Sequence, residues 1–342
     1  MPDVTEHEPA TTSAPPPSPQ GAPGGRAPRH AIPWWGRYGV LLTLVALVVG
    51  FGLTTSGFFN ADNFRIVTSS NSIALIVALG ALLPLIVGEF DLSVGANLEL
   101  SSVLVAVLVS QHHWSLPTAA IAAVVLTTAI GTVSGCLVAI LKVSSFIATL
   151  AVGSLVSGFS LYLTNGQVLF AGIPESLRTF AQGNAGPIPN LLIIAAAVFV
   201  VLWFLSERTP VGRQALSVGL NADAARLMGI RVRALVVGSF AFSGLLAGLA
   251  GFLLLGRVGS ASSGVGANFL LPALAAGFLG ATAITVGRFN VVGTLIAVGV
   301  VAIGLNGLQL NGVPVWVEPV FNGGVLAVAV AASRLAVLRA AR

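Results

Sequence analysis

The chain is a succession of apolar runs separated by short polar interruptions. The runs lie near 38–59, 66–87, 94–110, 116–141, 145–164, 189–206, 234–256, 266–285, 291–309 and 317–335. About 20 apolar residues in a helix span the ~30 Å hydrocarbon core of a bilayer. The pattern therefore predicts an all-α polytopic membrane protein with ten transmembrane helices. Pro84, Gly88 and Gly95 interrupt the second and third runs. They predict broken or re-entrant helix, which a membrane tolerates only where protein or a cavity supplies partners.

Charge orients this pattern. With ten spans and both termini cytoplasmic, Arg26, Arg29, Arg37, Lys142, Arg208, Arg213, Arg226, Arg231, Arg233, Arg288, Arg334, Arg339 and Arg342 face the cytoplasm. Arg65, Arg178 and Arg257 face outward. That asymmetry is the expected bias of basic residues toward the inside. An odd number of spans would separate the Arg-rich end of the chain from the Arg-rich 207–233 loop. Spans two to five begin outside and spans seven to ten begin inside, which suggests two inverted four-helix repeats.

Residues 1–32 differ from the rest. Ala14-Pro15-Pro16-Pro17-Ser18-Pro19 and Gly21-Ala22-Pro23-Gly24-Gly25 cannot form a core and predict a disordered cytoplasmic tail. It has no apolar h-region of a cleavable signal, so the first apolar run is expected to stay as an anchor. The membrane domain is then 33–342. Hydrophobic residues make up 56% of the chain, charged residues 8%, and the mean hydropathy is +0.96. So few charges cannot solubilise that much apolar surface, which excludes a soluble enzyme and a disordered regulator. The basic residues punctuate apolar runs and form no single face, which excludes a nucleic-acid binder. Cys136 is the only cysteine, so no intramolecular disulfide forms. Gly131-x-x-x-Gly135 and Gly244-x-x-x-Gly248 fit close helix packing in lipid.

Residues 207–233 form the longest hydrophilic stretch between runs, and it is patterned. Thr209-Pro210-Val211-Gly212-Arg213 can open a short helix that Gly219 can stop. Asn221 can cap a second helix over Ala222–Met228, with Asp223 at its positive end and Gly229 past its end. Capped helices are more order than a connector needs, so the stretch reads as a rigid knob.

Here the sequence resembles a known family. Thr209–Arg213 followed by Val218-Gly219-Leu220-Asn221-Ala222-Asp223-Ala224-Ala225-Arg226-Leu227-Met228-Gly229 resembles the cytoplasmic coupling loop of ABC importer permeases of the ribose/xylose class. Asp91-Leu92-Ser93-Val94-Gly95, Ser243-Gly244-Leu245-Leu246-Ala247-Gly248-Leu249-Ala250-Gly251, Gly287-Arg288-Phe289-Asn290, Asn306-Gly307-Leu308 and Phe321-Asn322-Gly323 match further family segments in the family's order. The resemblance implies a permease that carries a monosaccharide across the bacterial plasma membrane. It implies a second permease copy or a similar permease, an ABC ATPase subunit holding ATP and magnesium, and an external sugar-binding protein. Gly212, Arg213, Gly219, Asn221, Ala224, Ala225, Arg226 and Gly229 would then meet the ATPase. Glu89 and Glu99 stand where the family has smaller residues, and Phe269–Leu274 replaces an acidic stretch.

The chemistry absent from the sequence points the same way. No Gly-x-x-x-x-Gly-Lys-Ser/Thr loop occurs, and the only lysine is Lys142, so any ATP hydrolysis belongs to another chain. No histidine lies within an apolar run, which leaves no buried histidine metal site and no serine–histidine pair within the bilayer. No cofactor and no enzymatic reaction are expected in this chain. Glu89, Asp91 and Glu99 are carboxylates near membrane depth, where charge is costly. One reading lines a translocation pathway with them, together with Asn97 and Asn306. Another makes Glu89 and Glu99 proton carriers of an ion-coupled secondary transporter of a small polar solute. A third has Glu89 and Asp91 at the inner interface, capping the next helix.

Overall fold

The computed structural model describes residues 34–340, with side chains from 38 to 332. The tail read at 1–32 lies outside the described residues. Ten apolar helices follow the ten runs: α1 (Trp34–Thr54), α2 (Ala61–Ile86), α3 (Val94–Ser110), α4 (Leu116–Ala139), α5 (Ser145–Thr164), α7 (Asn190–Arg208), α10 (Val232–Val258), α11 (Ala267–Gly280), α12 (Val291–Leu310) and α13 (Val317–Ala340). Six of them, α2, α4, α5, α7, α10 and α12, are long and apolar enough to cross a membrane, and the other four give shorter apolar segments within the described residues, Tyr38–Thr54, Val94–Ser110, Ala267–Gly280 and Val317–Ala332. The protein is a helical, multi-pass membrane protein.

The element ends differ from the apolar runs where local caps override hydropathy. The first run continues to 59, yet α1 ends at Thr54. The next helix starts early because the Asn60 side chain accepts from the amide of Asp62 and caps α2. The eighth run continues to 285, but α11 ends at Gly280. Asn290 closes the following turn, donating to the carbonyls of Gly280 and Ala283 and accepting from the Gly293 amide at 2.6 Å. The expected break lies at Val87–Ser93, after Pro84 in the last turn of α2. Between α5 and α7 the chain also forms a short amphipathic helix, α6 (Glu175–Gln182), which buries Leu177 and Ala181, and a two-residue hairpin, β1 (Asn184–Ala185) with β2 (Ile188–Pro189).

The helices are apolar on every side, so amphipathicity cannot decide which face packs. Small residues decide it instead. The helix α10 lies against α4, α3 and α2, and α4 and α10 touch backbone to backbone. A Cβ on Gly131 would strike the Phe240 carbonyl and come within 3.3 Å of the Gly244 Cα, while one on Gly244 would strike the Thr127 carbonyl. The two glycine pairs singled out in the sequence thus face each other. Some hydroxyls are satisfied within their own helices, as where buried Thr127 donates to the Ala123 carbonyl at 3.1 Å and part-buried Ser110 to that of Ala106 at 2.6 Å.

Gly131→Ala pushes a methyl into a backbone carbonyl that no rotamer change can move, an overpacking cost of about 1–3 kcal/mol. Its melting temperature in detergent should fall clearly. Gly158→Ala on α5, where an added Cβ meets nothing within 4 Å, should leave it unchanged or slightly raised. Equal melting temperatures for both variants would refute this account of the α4–α10 contact.

Candidate functional site

Residues 207–233 fold into two short helices, α8 (Pro210–Leu220) and α9 (Ala222–Leu227). Pro210 occupies the first turn of α8, where its missing N–H costs nothing, and the Thr209 hydroxyl accepts from the Gly212 amide. Asn221 ends α8 and starts α9; its Oδ1 accepts from the amides of Asp223 at 3.1 Å and Ala224 at 2.9 Å. Asp223 pairs with Arg226 at 3.2 Å, but both are exposed, so the pair adds little stability. Gly229 terminates the unit at φ +80°. Gly219 does not stop α8, which runs on to Leu220.

Two glycines seat this unit on the bundle. A Cβ on Gly212 would enter the Ser206 carbonyl of α7, and one on Gly219 would enter the Ile86 carbonyl at the end of α2. Val218 and Ala225 are buried among Val87, Val138, Ala148 and Val236. The remaining predicted contact residues, Arg213, Asn221, Ala224, Arg226 and Gly229, are exposed. So are Leu227 at 91% and Met228 at 82%, side chains that a finished surface would cover.

The turn beneath α8 leads to a polar hub. Asp91 is fully buried. Its Oδ1 accepts from the Ser93 amide at 2.9 Å and hydroxyl at 2.6 Å, and its Oδ2 accepts from Ser243 of α10 at 2.6 Å. Ser145 and Thr149 of α5 accept from the amides of Phe90 and Leu92. The turn is thereby tied to α5 and α10 before α3 begins. Asn97 donates to Ser93 at 3.4 Å, and its Oδ1 meets no donor among the described residues. Glu99 is 1% exposed; its Oε2 accepts from the Gly266 amide at the start of α11 at 3.1 Å, and its Oε1 is unpartnered among the described residues. A Cβ on Gly95 would strike the Gly266 carbonyl and one on Gly266 the Gly95 carbonyl, so α3 and α11 start against each other.

The sequence-read carboxylates are therefore dispersed. Asp91 sits in the hub, Glu99 at the start of α11, and half-buried Glu89 in a cleft beside α8. Asn306 is elsewhere: it exchanges amide hydrogen bonds of 2.9 and 3.1 Å with Asn63 at the start of α2. At that opposite end, Asp62, Arg65, Gln182, Asn184 and Arg257 line an open cleft of about 350 Å3, and Arg257 donates to Ser70. Ser243 and Gly266 were not identified as partners in the sequence, because they meet α3 and its turn across more than 150 residues.

Asp91→Ala strands the hydroxyls of Ser93 and Ser243, a cost of about 1–3 kcal/mol, and should lower the melting temperature in detergent well below that of Asp91→Asn, which keeps an acceptor for Ser93. Asn221→Ala removes a double cap worth about 1 kcal/mol. Amide exchange over 221–229 should accelerate about fivefold while exchange in α10 stays unchanged.

The comparisons with known proteins agree along most of the chain. The family described as branched-chain amino acid transport system / permease component matches residues 63–330. The ribose import permease protein RbsC of Bacillus subtilis is 35% identical over 300 residues, 87% of this chain and 92% of that protein. RbsC of Haemophilus influenzae is 34% identical over 260 residues, covering 75% and 80%. The D-allose transport system permease protein AlsC of Escherichia coli is 30% identical over 303 residues, covering 88% and 93%. No solved structure matches the chain. With the matched segment reaching from α2 into α13 and including the α8–α9 unit, the chain belongs to this family of transport-system permease components.

Proposed function

We propose that the chain is the membrane-spanning subunit of an ATP-binding-cassette importer, carrying a monosaccharide of the ribose or xylose kind by alternating access. The observation that carries this reading is the match to permeases named for ribose and D-allose over three quarters or more of the chain. A galactose/methyl galactoside import permease is also 30% identical. These names favour a sugar over the amino acids in the family's description. The ion-coupled alternative is not favoured, since Glu99 commits one carboxylate oxygen to the Gly266 amide and the relatives are importer permeases.

The proposal includes ten spans, with the four shorter apolar helices crossing alongside the six long ones, and both termini in the cytoplasm of a bacterial plasma membrane. The contact pattern supports inverted repeats, α2–α5 and α10–α13. The helix α3 packs on α4 and α5 as α11 packs on α12 and α13; α2 packs on α11 and α12 as α10 packs on α3 and α4. Residues 1–32 would be a cytoplasmic tail. The partners are a second permease copy or a similar chain, surrounding lipid, an external sugar-binding protein and an ATPase that brings the ATP and magnesium. This chain holds no cofactor of its own. The ATPase would dock on α8–α9, covering Leu227 and Met228 and engaging Arg213 and Arg226. The polar cleft at the opposite end is where a hydroxylated solute or its carrier would arrive.

Purification from native membranes in mild detergent should recover an ATPase at matched stoichiometry. A lone oligomer transporting solute without one would overturn the reading. In the reconstituted complex, Arg213→Ala should lower sugar uptake several-fold relative to ATP hydrolysis at unchanged membrane abundance. Unimpaired uptake would remove Arg213 from the contact.

A further inference from the structure

A cleft of about 320 Å3 opens beside α8, where the α2–α3 turn, the α4–α5 turn, α9 and the start of α10 meet. Its floor is built from valines of these elements, and its rim carries Lys142, Arg226, Arg233 and Glu89. Lys142 is the only lysine of the chain; it lies in the α4–α5 turn at φ +60° and lines the cleft. Among the described residues, Lys142, Arg233 and Glu89 make no ion pair, and the partner of Arg226 is the exposed Asp223. Arg226 is thus neutralised by Asp223, and Lys142 and Arg233 against Glu89 leave the cleft with one net positive charge.

A second feature points the same way. The helix α5 begins on this cleft, with Ser144 and Ser145 in its wall. Ser144 stands at the cap position, but its side chain makes no hydrogen bond to the first amides of the helix. The amino end of a 20-residue helix, carrying partial positive charge and free N–H donors, therefore adds to Lys142 and Arg233. Beside it, the α4–α5 corner exposes Ile140, Leu141, Phe146 and Ile147. In a bilayer such side chains lie against acyl chains, and basic pockets between spanning helices hold anionic headgroups.

We propose that this cleft binds the headgroup of an anionic phospholipid, its phosphate on Lys142, Arg233 and the amino end of α5, its acyl chains along the α4–α5 corner. Glu89 tunes the site by opposing the anion. The bound headgroup bridges the α4–α5 turn, the start of α5 and α10. The leaflet involved rests on the topology proposed above, whereas binding does not. Failure of either reading leaves the other intact.

The test uses the full chain in detergent, titrated with short-chain phosphatidylglycerol, phosphatidylcholine or inorganic phosphate, with retained ligand read by native mass spectrometry. Phosphatidylglycerol should be retained and phosphatidylcholine should not. Lys142→Gln and Arg233→Gln should each weaken retention about fivefold, as expected for one basic residue near an anionic surface. Glu89→Gln should strengthen it by a similar factor, an outcome that misfolding cannot mimic. Arg178→Gln at the opposite end should have no effect. Unchanged retention in the lysine and arginine variants would overturn the site. Phosphate binding as tightly as phosphatidylglycerol would overturn the lipid assignment. No retention of phosphatidylglycerol would overturn both and leave the cleft to an acidic segment of a partner protein.

Discussion

Close backbone contact at glycine is the constraint on which the rest of this structure depends. Between helices that are apolar all round, lipid gives no hydrophobic reason to associate, because acyl chains are as apolar as leucine. What remains is dispersion at short range and the hydrogen bonds of the few polar groups, both of which need backbones to approach. In α10 the glycines supply that approach on two faces. Gly244 and Gly248 accept α4, through Thr127 and Val124, while Gly251 accepts α3, through Leu98 and Ser101. One helix thereby fixes the positions of two others. The same device recurs where α11 meets α12, since a Cβ on Gly293 would strike the Gly280 carbonyl.

Close approach sets the terms for polar groups. An unpaired donor or acceptor in this interior has no water to fall back on. Ser101 uses the gap that Gly251 leaves to reach the Gly248 carbonyl at 2.6 Å. Asp91 reaches Ser243, the residue just before Gly244 of α10. Glu99 finds the first amide of α11 because Gly95 and Gly266 bring the two helix starts together. A carboxylate at a helix amino end is favoured by the dipole as well as by its hydrogen bond, which makes a buried glutamate tolerable at that position.

Much of the architecture was legible because it follows from local rules. The ten apolar runs each fall on a helix, and a bilayer imposes a length and a composition on those that cross it. The caps at Thr209 and Asn221 were legible because a side chain and the amides it serves are neighbours in sequence. Gly219 misled for an instructive reason. It reads as a helix stop by its conformational freedom, yet it lies within α8, where what matters is the Cβ it lacks against the Ile86 carbonyl. The break between α1 and α2 was hidden by an apolar stretch that runs on through Phe58 and Phe59, where Phe58 stacks on Phe51 and meets Phe59 edge to face. The partners of Asp91 and Glu99 had no local signal, and neither did the pairing of Asn306 with Asn63 across 243 residues. Side chains that distant meet only once the glycine contacts have fixed the helices.

These contacts also fix what can move independently. No side chain lies between Gly219 and the Ile86 carbonyl to absorb a displacement of α8 by changing rotamer, and Gly88 follows two residues later at φ +88°. The turn then passes its amides to Ser145 and Thr149 and its carboxylate to Ser243. Packed interiors shift between discrete arrangements and do not deform smoothly. A force on α8 must therefore either break the Asp91 hub or carry α3, α5 and α10 with it. Breaking the hub strands three buried polar groups, whereas moving the helices together strands none, so the cheaper motion displaces α3 as a body. Its start lies against that of α11, the corresponding helix of the other proposed repeat, through Gly95 and Gly266. A push on α8 is thus delivered, through the Gly219–Ile86 and Gly95–Gly266 backbone contacts and the side-chain hydrogen bonds of the hub between them, to the start of α11.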